Sequence, residues 1–140
     1  MEIGVKDASS YFKGLLLLIR KDHKVTEPET SMMLRIGKRL GFEKEFCDNA
    51  IQEILKNRFI EDAPPKFSKP ELAKMFIKDG LSIAFCDHVI VYKEEKWLRS
   101  VAEVNLIAHR WFVQELESAA ERRNQIDHLE ADELTVNHSS

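Results

Sequence analysis

The stretch Asp22-His23-Lys24-Val25-Thr26-Glu27-Pro28-Glu29 recurs in outline 65 residues on, as Asp87-His88-Val89-Ile90-Val91-Tyr92-Lys93-Glu94. Asp22 falls on Asp87, His23 on His88, Val25 on Ile90 and Glu29 on Glu94. Apolar positions on both sides keep the same shift. Leu16 meets Leu81, Leu18 meets Ile83, Met32 meets Trp97, Met33 meets Leu98, Ile36 meets Val101, and Gly37 meets Ala102. One residue of slippage then pairs Gly41 with Asn105, the two residue types that most readily take the left-handed conformation ending a helix. Apolar stripes align easily by chance. Three polar matches at one shift, in one loop context, do not. Each half therefore reads as helix, acidic loop, helix, tight stop, helix.

Local signals give the bounds. Tyr11 to Ile19 is the core of a first helix, with Arg20 and Lys21 beside the negative end of its dipole. Thr26 and Glu29 form a capping box, with Pro28 in the first turn where proline is tolerated. A second helix carries Met32, Met33, Ile36 and Leu40 at spacings of three and four, and Gly41 stops it. A third spans about Glu43 to Asn57. Phe59 to Phe67 is a loop marked by Pro64-Pro65. Ser68 and Glu71 read as a second capping box, opening a helix that either runs to Cys86 or kinks near Gly80. Glu94 opens the next, a break near Asn105 ends it, and a last helix runs through Ala108, Trp111, Phe112 and Leu116.

The expected fold is all-α: a single-domain bundle of about six to seven helices, built from two pseudo-repeated helix–acidic loop–helix units. The domain covers residues 1–122. Residues 123–140 are polar and acidic and read as a disordered tail. Five glycines and four prolines in 140 residues are about half the ordinary share of roughly 12%. That scarcity argues against a sandwich or barrel with its frequent turns.

Charge and targeting exclude several classes. The formal charge is −3, from 21 basic and 24 acidic residues, without the basic excess of a nucleic-acid binder. Cys47 and Cys86 make neither a disulfide framework nor a CxxC metal signature. Leu15 to Ile19 is the longest apolar run, far short of the roughly 20 residues that cross a bilayer. The N-terminal residues lack a secretory leader. A cytoplasmic protein without membrane insertion is expected.

The repeated loop carries the chemistry. Each copy sets an Asp, a His and a Glu around one interhelical connection. The Asp follows a helix C-terminus, where the dipole disfavours a carboxylate. A hard cation takes oxygen ligands, and an adjacent imidazole widens the choice toward zinc or another transition metal. The candidate ligands of a divalent metal are Asp22, His23, Glu29, Asp87, His88 and Glu94. A purely structural account competes: Glu29 is a capping partner, and Asp22 and Asp87 can bind amides in their own loops. Glu94 resists that account somewhat, because Val91 stands where Thr26 stood. The 12-residue EF-hand ladder is absent. No phosphate-cradling glycine loop, nucleophile elbow or organic-cofactor motif occurs, and no basic anion-binding cluster is evident. Catalytic residues are not expected, and the chain reads as no enzyme.

The Asp, the apolar residue three positions on and the Glu seven positions on resemble the TerB-like (tellurite-resistance) helical domain, through Asp22, Val25 and Glu29 and again Asp87, Ile90 and Glu94. The resemblance covers roughly residues 8–120. It implies about seven helices in two related halves, a stress-resistance setting, and acidic loops that hold a metal. A related domain occurs in membrane-anchored J-domain co-chaperones. One departure stands out: His23 and His88 replace the glycine that usually follows the Asp. The rival expectation is a metal-free module with a protein partner, docking through Phe59, Phe67 and the Pro64-Pro65 loop.

Overall fold

The computed structural model describes residues 1–22, 24–57, 60–86, 89–122 and 128–138. The helical expectation holds. A short strand β1 (Glu2–Gly4) leads into α1 (Val5–Ile19), and a 3-10 turn follows (Arg20–Asp22). Helices α2 (Glu27–Arg39) and α3 (Lys44–Lys56) complete the first half. The second half repeats the order with α4 (Pro70–Phe85), α5 (Tyr92–Val104) and α6 (His109–Arg122). The starts of all three helix pairs are displaced by 65 residues, and α2 and α5 also end at the same shift. Among the described residues, no helix is long and apolar enough to cross a membrane.

The two halves stop their second helices identically. The Gly41 N–H donates to Lys38 O at 3.1 Å and the Phe42 N–H to Gly37 O at 2.9 Å. The copy has Leu106 to Glu103 O at 3.1 Å and Ile107 to Ala102 O at 2.9 Å. Both are the paired bonds that close a helix through one left-handed residue. That residue is Gly41 (φ 89°) in the first half and Leu106 (φ 59°) in the second. The register is therefore an unbroken 65, and the expected slippage onto Asn105 is corrected. Asn105 does something else. Its Nδ2 donates to Pro65 O and Val101 O, both at 2.8 Å, and its Oδ1 accepts the Phe67 N–H at 2.9 Å. It fastens the connection between the halves to α5.

Helices α1 and α4 are the centre of the bundle. A helix apolar on most of its circumference must be covered on most sides. Leu15 to Ile19 and Leu81 to Phe85 are buried runs of that kind. The remaining helices bury one stripe each. α4 runs without a break through Gly80. A Cβ on Gly80 would lie 2.8 Å from Leu98 Cδ2, and one on Gly37 would run into Cys47 Sγ. These glycines let neighbouring helices approach.

Three local expectations are overturned by tertiary contacts. Ser68 is not an N-cap: Lys69 holds that position without a side-chain bond, and Ser68 instead binds Asp7 through its N–H and hydroxyl. Phe67 is no docking surface. It is buried edge-on to Tyr11 and beside Phe76, while Phe59 lies outside the described residues.

The third correction concerns the tail. Residues 128–138 form a 3-10 turn (Glu130–Glu133) and a strand β2 (Thr135–Asn137) that pairs in parallel with β1, Ile3 opposite Val136. Leu129, Ala131 and Leu134 have no exposed surface. Three apolar side chains dispersed in an acidic run supply the burial that a disordered tail lacks. Arg35 pairs with Asp132, and Arg39 Nε donates to Leu134 O at 2.8 Å.

Candidate functional site

The expected metal ligands divide into two groups. Glu29 and Glu94 are described, and each has no exposed surface. Both occupy the third position of their helix, where the dipole favours a carboxylate. Glu29 Oε1 accepts the Thr26 N–H at 2.9 Å, and Glu94 Oε1 accepts the Val91 N–H at 3.0 Å. The Thr26 hydroxyl completes the reciprocal bond in the first half, accepting the Glu29 N–H at 3.3 Å. Valine has no hydroxyl, so only the glutamate side of the box exists in the second half. One oxygen of each glutamate thus has a capping duty. His23, Asp87 and His88 lie outside the described residues, and Asp22 is described only as the end of its 3-10 turn.

Among the described residues, the side chains that come within ligand distance of one another are His128, Glu130 and Glu133. His128 Nε2 lies 3.0 Å from Glu130 Oε2 and 3.9 Å from Glu133 Oε1. The Lys78 ammonium stands 3.5 Å from Glu130 Oε1 and already offsets its charge. The expected disorder of the tail had hidden this group.

The centre of the molecule holds a polar pair that sequence reasoning passed over. Asp79, 1% exposed, accepts the Tyr11 hydroxyl at 2.6 Å and the N–H groups of Glu130 and Ala131 at 2.6 and 2.9 Å. Burial pushes its carboxyl up to about 6 against the three donors. Burial, then the neighbouring Asp79 charge, raises the Tyr11 hydroxyl well above its ordinary range. An aspartate between Phe76-Ile77 and Leu81 on a buried helix was the available signal.

A surface cleft of about 770 Å³ opens beside the end of α1. Arg20, Lys21, Asp62, Lys93, Lys96 and Trp97 line it. Asp62 bridges Arg20 and Lys21, the latter at 2.8 Å. Burial alone would raise the Asp62 carboxyl; bonds from Lys21 and Arg20 outweigh it and hold the group below its usual range. Trp97 Nε1 donates to Asp62 O at 2.9 Å, and Lys21 Nζ sits 5.8 Å from the Trp97 ring centre. These cations are far apart in sequence, which is why no basic cluster was legible.

At the opposite end of α5, Leu106 is 91% exposed, with Val104 39% exposed beside it. Comparison with protein-family models, with curated proteins and with solved structures finds no match.

Proposed function

We propose that the chain is a non-enzymatic protein-interaction module of the TerB-like type, and that it engages its partner at the α5–α6 corner around Leu106. The carrying observation is Leu106 itself, left-handed and almost wholly in water. A left-handed backbone costs an L-residue roughly 1–2 kcal/mol. A side chain in solvent recovers none of that by burial. The equivalent corner of the first half uses Gly41, which avoids the cost. Leucine at this corner serves the fold worse than glycine, and an apolar socket on another protein supplies a use for it. Four of the five buried polar residues among those described support the non-enzymatic part: Asp79, Glu29, Glu94 and Asn105 hold hydroxyl, amide or carbonyl groups of their own chain.

The Leu106→Gly substitution tests the reading. It relieves the backbone and removes the knob. A photo-crosslinking residue at position 103 is expected to capture the partner in cells carrying the otherwise native chain and to lose it with Leu106→Gly, whose melting temperature is no lower. An undiminished crosslink refutes the proposal.

A second reading keeps the divalent cation of the repeated loops, in the stress-resistance setting that the resemblance implies. Its support is Glu94, a fully buried carboxylate retained where no hydroxyl reciprocates. A bound cation must raise the melting temperature. Calcium, magnesium, zinc and manganese are each to be added well above micromolar. Glu94→Gln keeps a cap acceptor and removes the charge, so it should abolish any rise. No rise with any of the four ions rejects this reading.

A further inference from the structure

We infer that the cleft between the end of α1 and the start of α5 is a binding site for a small phosphorylated organic molecule, with Lys93 and Lys96 taking the phosphoryl oxygens and Leu55 meeting its apolar body. The inference rests on a different surface from the Leu106 corner and is independent of it.

Charge is the first argument. Among the described residues, four cations, Arg20, Lys21, Lys93 and Lys96, line the cleft with one carboxylate, Asp62. Asp62 is shared by Arg20 and Lys21. Lys93 and Lys96 meet no carboxylate among the described residues. They lie three residues apart on one helix face, where like charges repel. Lys93 also stands in the first turn of α5, where the dipole disfavours a cation. Both placements cost the free protein something that a bound anion returns.

Shape and composition narrow the ligand. A volume of about 770 Å³ lies in the range of small-molecule sites. The Arg20 guanidinium is occupied by the carbonyls of Asn57 and Ile60 as well as by Asp62. It therefore builds the wall and leaves the lysines to bind. Asp62 fills the place a ligand carboxylate would take between Arg20 and Lys21. Its negative charge directs a second anion to the lysine side. Two ammonium groups one turn apart suit a dianion with several oxygens, and lysine acts on phosphate as a point charge. Leu55, 39% exposed in the lining of the same cleft, gives the molecule's apolar part a surface.

Calorimetric titration of the full chain with phenyl phosphate and with inorganic phosphate tests the assignment. Phenyl phosphate should bind saturably at one site, with inorganic phosphate weaker and competitive. The double variant Lys93→Gln, Lys96→Gln should weaken both at least tenfold with its melting temperature held, since both side chains are exposed. Leu55→Ser should weaken phenyl phosphate and leave inorganic phosphate unchanged. Leu106→Gly should bind both probes normally, which separates this site from the interaction corner. No saturable binding, binding retained by the double lysine variant, or sulfate competing as well as phenyl phosphate would each overturn the inference. Unchanged phenyl phosphate binding in Leu55→Ser would remove the organic part of it.

Discussion

The Tyr11 hydroxyl donates to the Asp79 carboxylate across 68 residues of sequence, at 2.6 Å and out of contact with water. The same carboxylate receives two amides of the C-terminal segment. One side chain therefore joins α1, α4 and the segment that closes the bundle. Removing the hydroxyl leaves a buried acceptor short of a donor. A hydrogen bond to a charged group is worth about 1.5–3 kcal/mol. Tyr11→Phe is expected to lose that much at pH 7, read from the denaturation midpoint, and less near pH 4, where Asp79 is protonated.

Asp79 also sets a pH dependence. Its folded-state value is raised, to about 6 from 3.8, so the native protein holds this proton more tightly than the unfolded chain. The stabilisation is complete below about pH 4 and disappears as pH rises through 6. The difference corresponds to about 3 kcal/mol. Asp62 and Asp132 act in the opposite sense, being held low by Lys21 and Arg20 and by Arg35 against the effect of burial. Their contribution is lost as pH falls below the ordinary carboxylate range. Between them, these three groups make the protein more stable at about pH 4–5 than at pH 7. In Asp79→Asn the slope between pH 4 and 7 should flatten; a slope unchanged by that substitution contradicts the assignment.

The C-terminal segment is part of the core and should behave as one. Leu134 is fully buried, and truncating a leucine at such a site costs about 2–5 kcal/mol. Leu134→Ala should reduce stability by that amount in denaturant unfolding. An effect below about 0.5 kcal/mol, the level of an ordinary surface change, would show that the segment does not hold.

Gly37 and Cys47 are expected to be energetically coupled. The added methyl of Gly37→Ala would run into the Cys47 sulfur and lie 3.0 Å from Phe12 Cε1. Overpacking of this kind costs about 1–3 kcal/mol. Cys47→Ala makes room for the methyl, so the double variant should be more stable than the sum of the two single losses predicts. Strict additivity in a double-mutant cycle would refute the contact.

The two helix stops give a pair of opposite signs. Gly41→Ala places a side chain at φ 89° and should cost about 1 kcal/mol. Leu106→Gly removes one from φ 59° and should gain about 0.5–1 kcal/mol, the smaller value reflecting the greater freedom of unfolded glycine. Thermal melts of both variants decide it.

Much of the architecture was readable because it is local. The Thr26–Glu29 box, Pro28, Gly41 and the spacing of Met33, Ile36 and Leu40 act within a turn or two of themselves, and the structure keeps each of them. The 65-residue shift was visible for the same reason, since both halves spell the same local instructions. What was not legible depends on contacts between distant residues. Ser68 had a local use as a cap and a stronger one with Asp7, 61 residues away. Leu129 and Leu134 look isolated among acids in the sequence, yet both are fully buried in the core. The cleft draws on positions 20, 21, 62, 93 and 96, and no short window of sequence contains more than two of them. Of the expected ligand set, Glu29 and Glu94 have a described geometry, and that geometry is a helix cap for each.

The pairing of β1 with β2 has a mechanical side. The strands run parallel, Glu2 beside Thr135 and Gly4 beside Asn137. Tension applied through residue 1 and residue 138 pulls one strand toward its N-terminus and the other toward its C-terminus. The two slide past each other, and all the rungs between them are loaded together rather than peeled apart singly. The same short sheet would unzip easily if it were antiparallel and pulled from one edge. Three residues on each side thus act as a shear clamp, and stretching the chain end to end has to break that clamp before any helix can be drawn out.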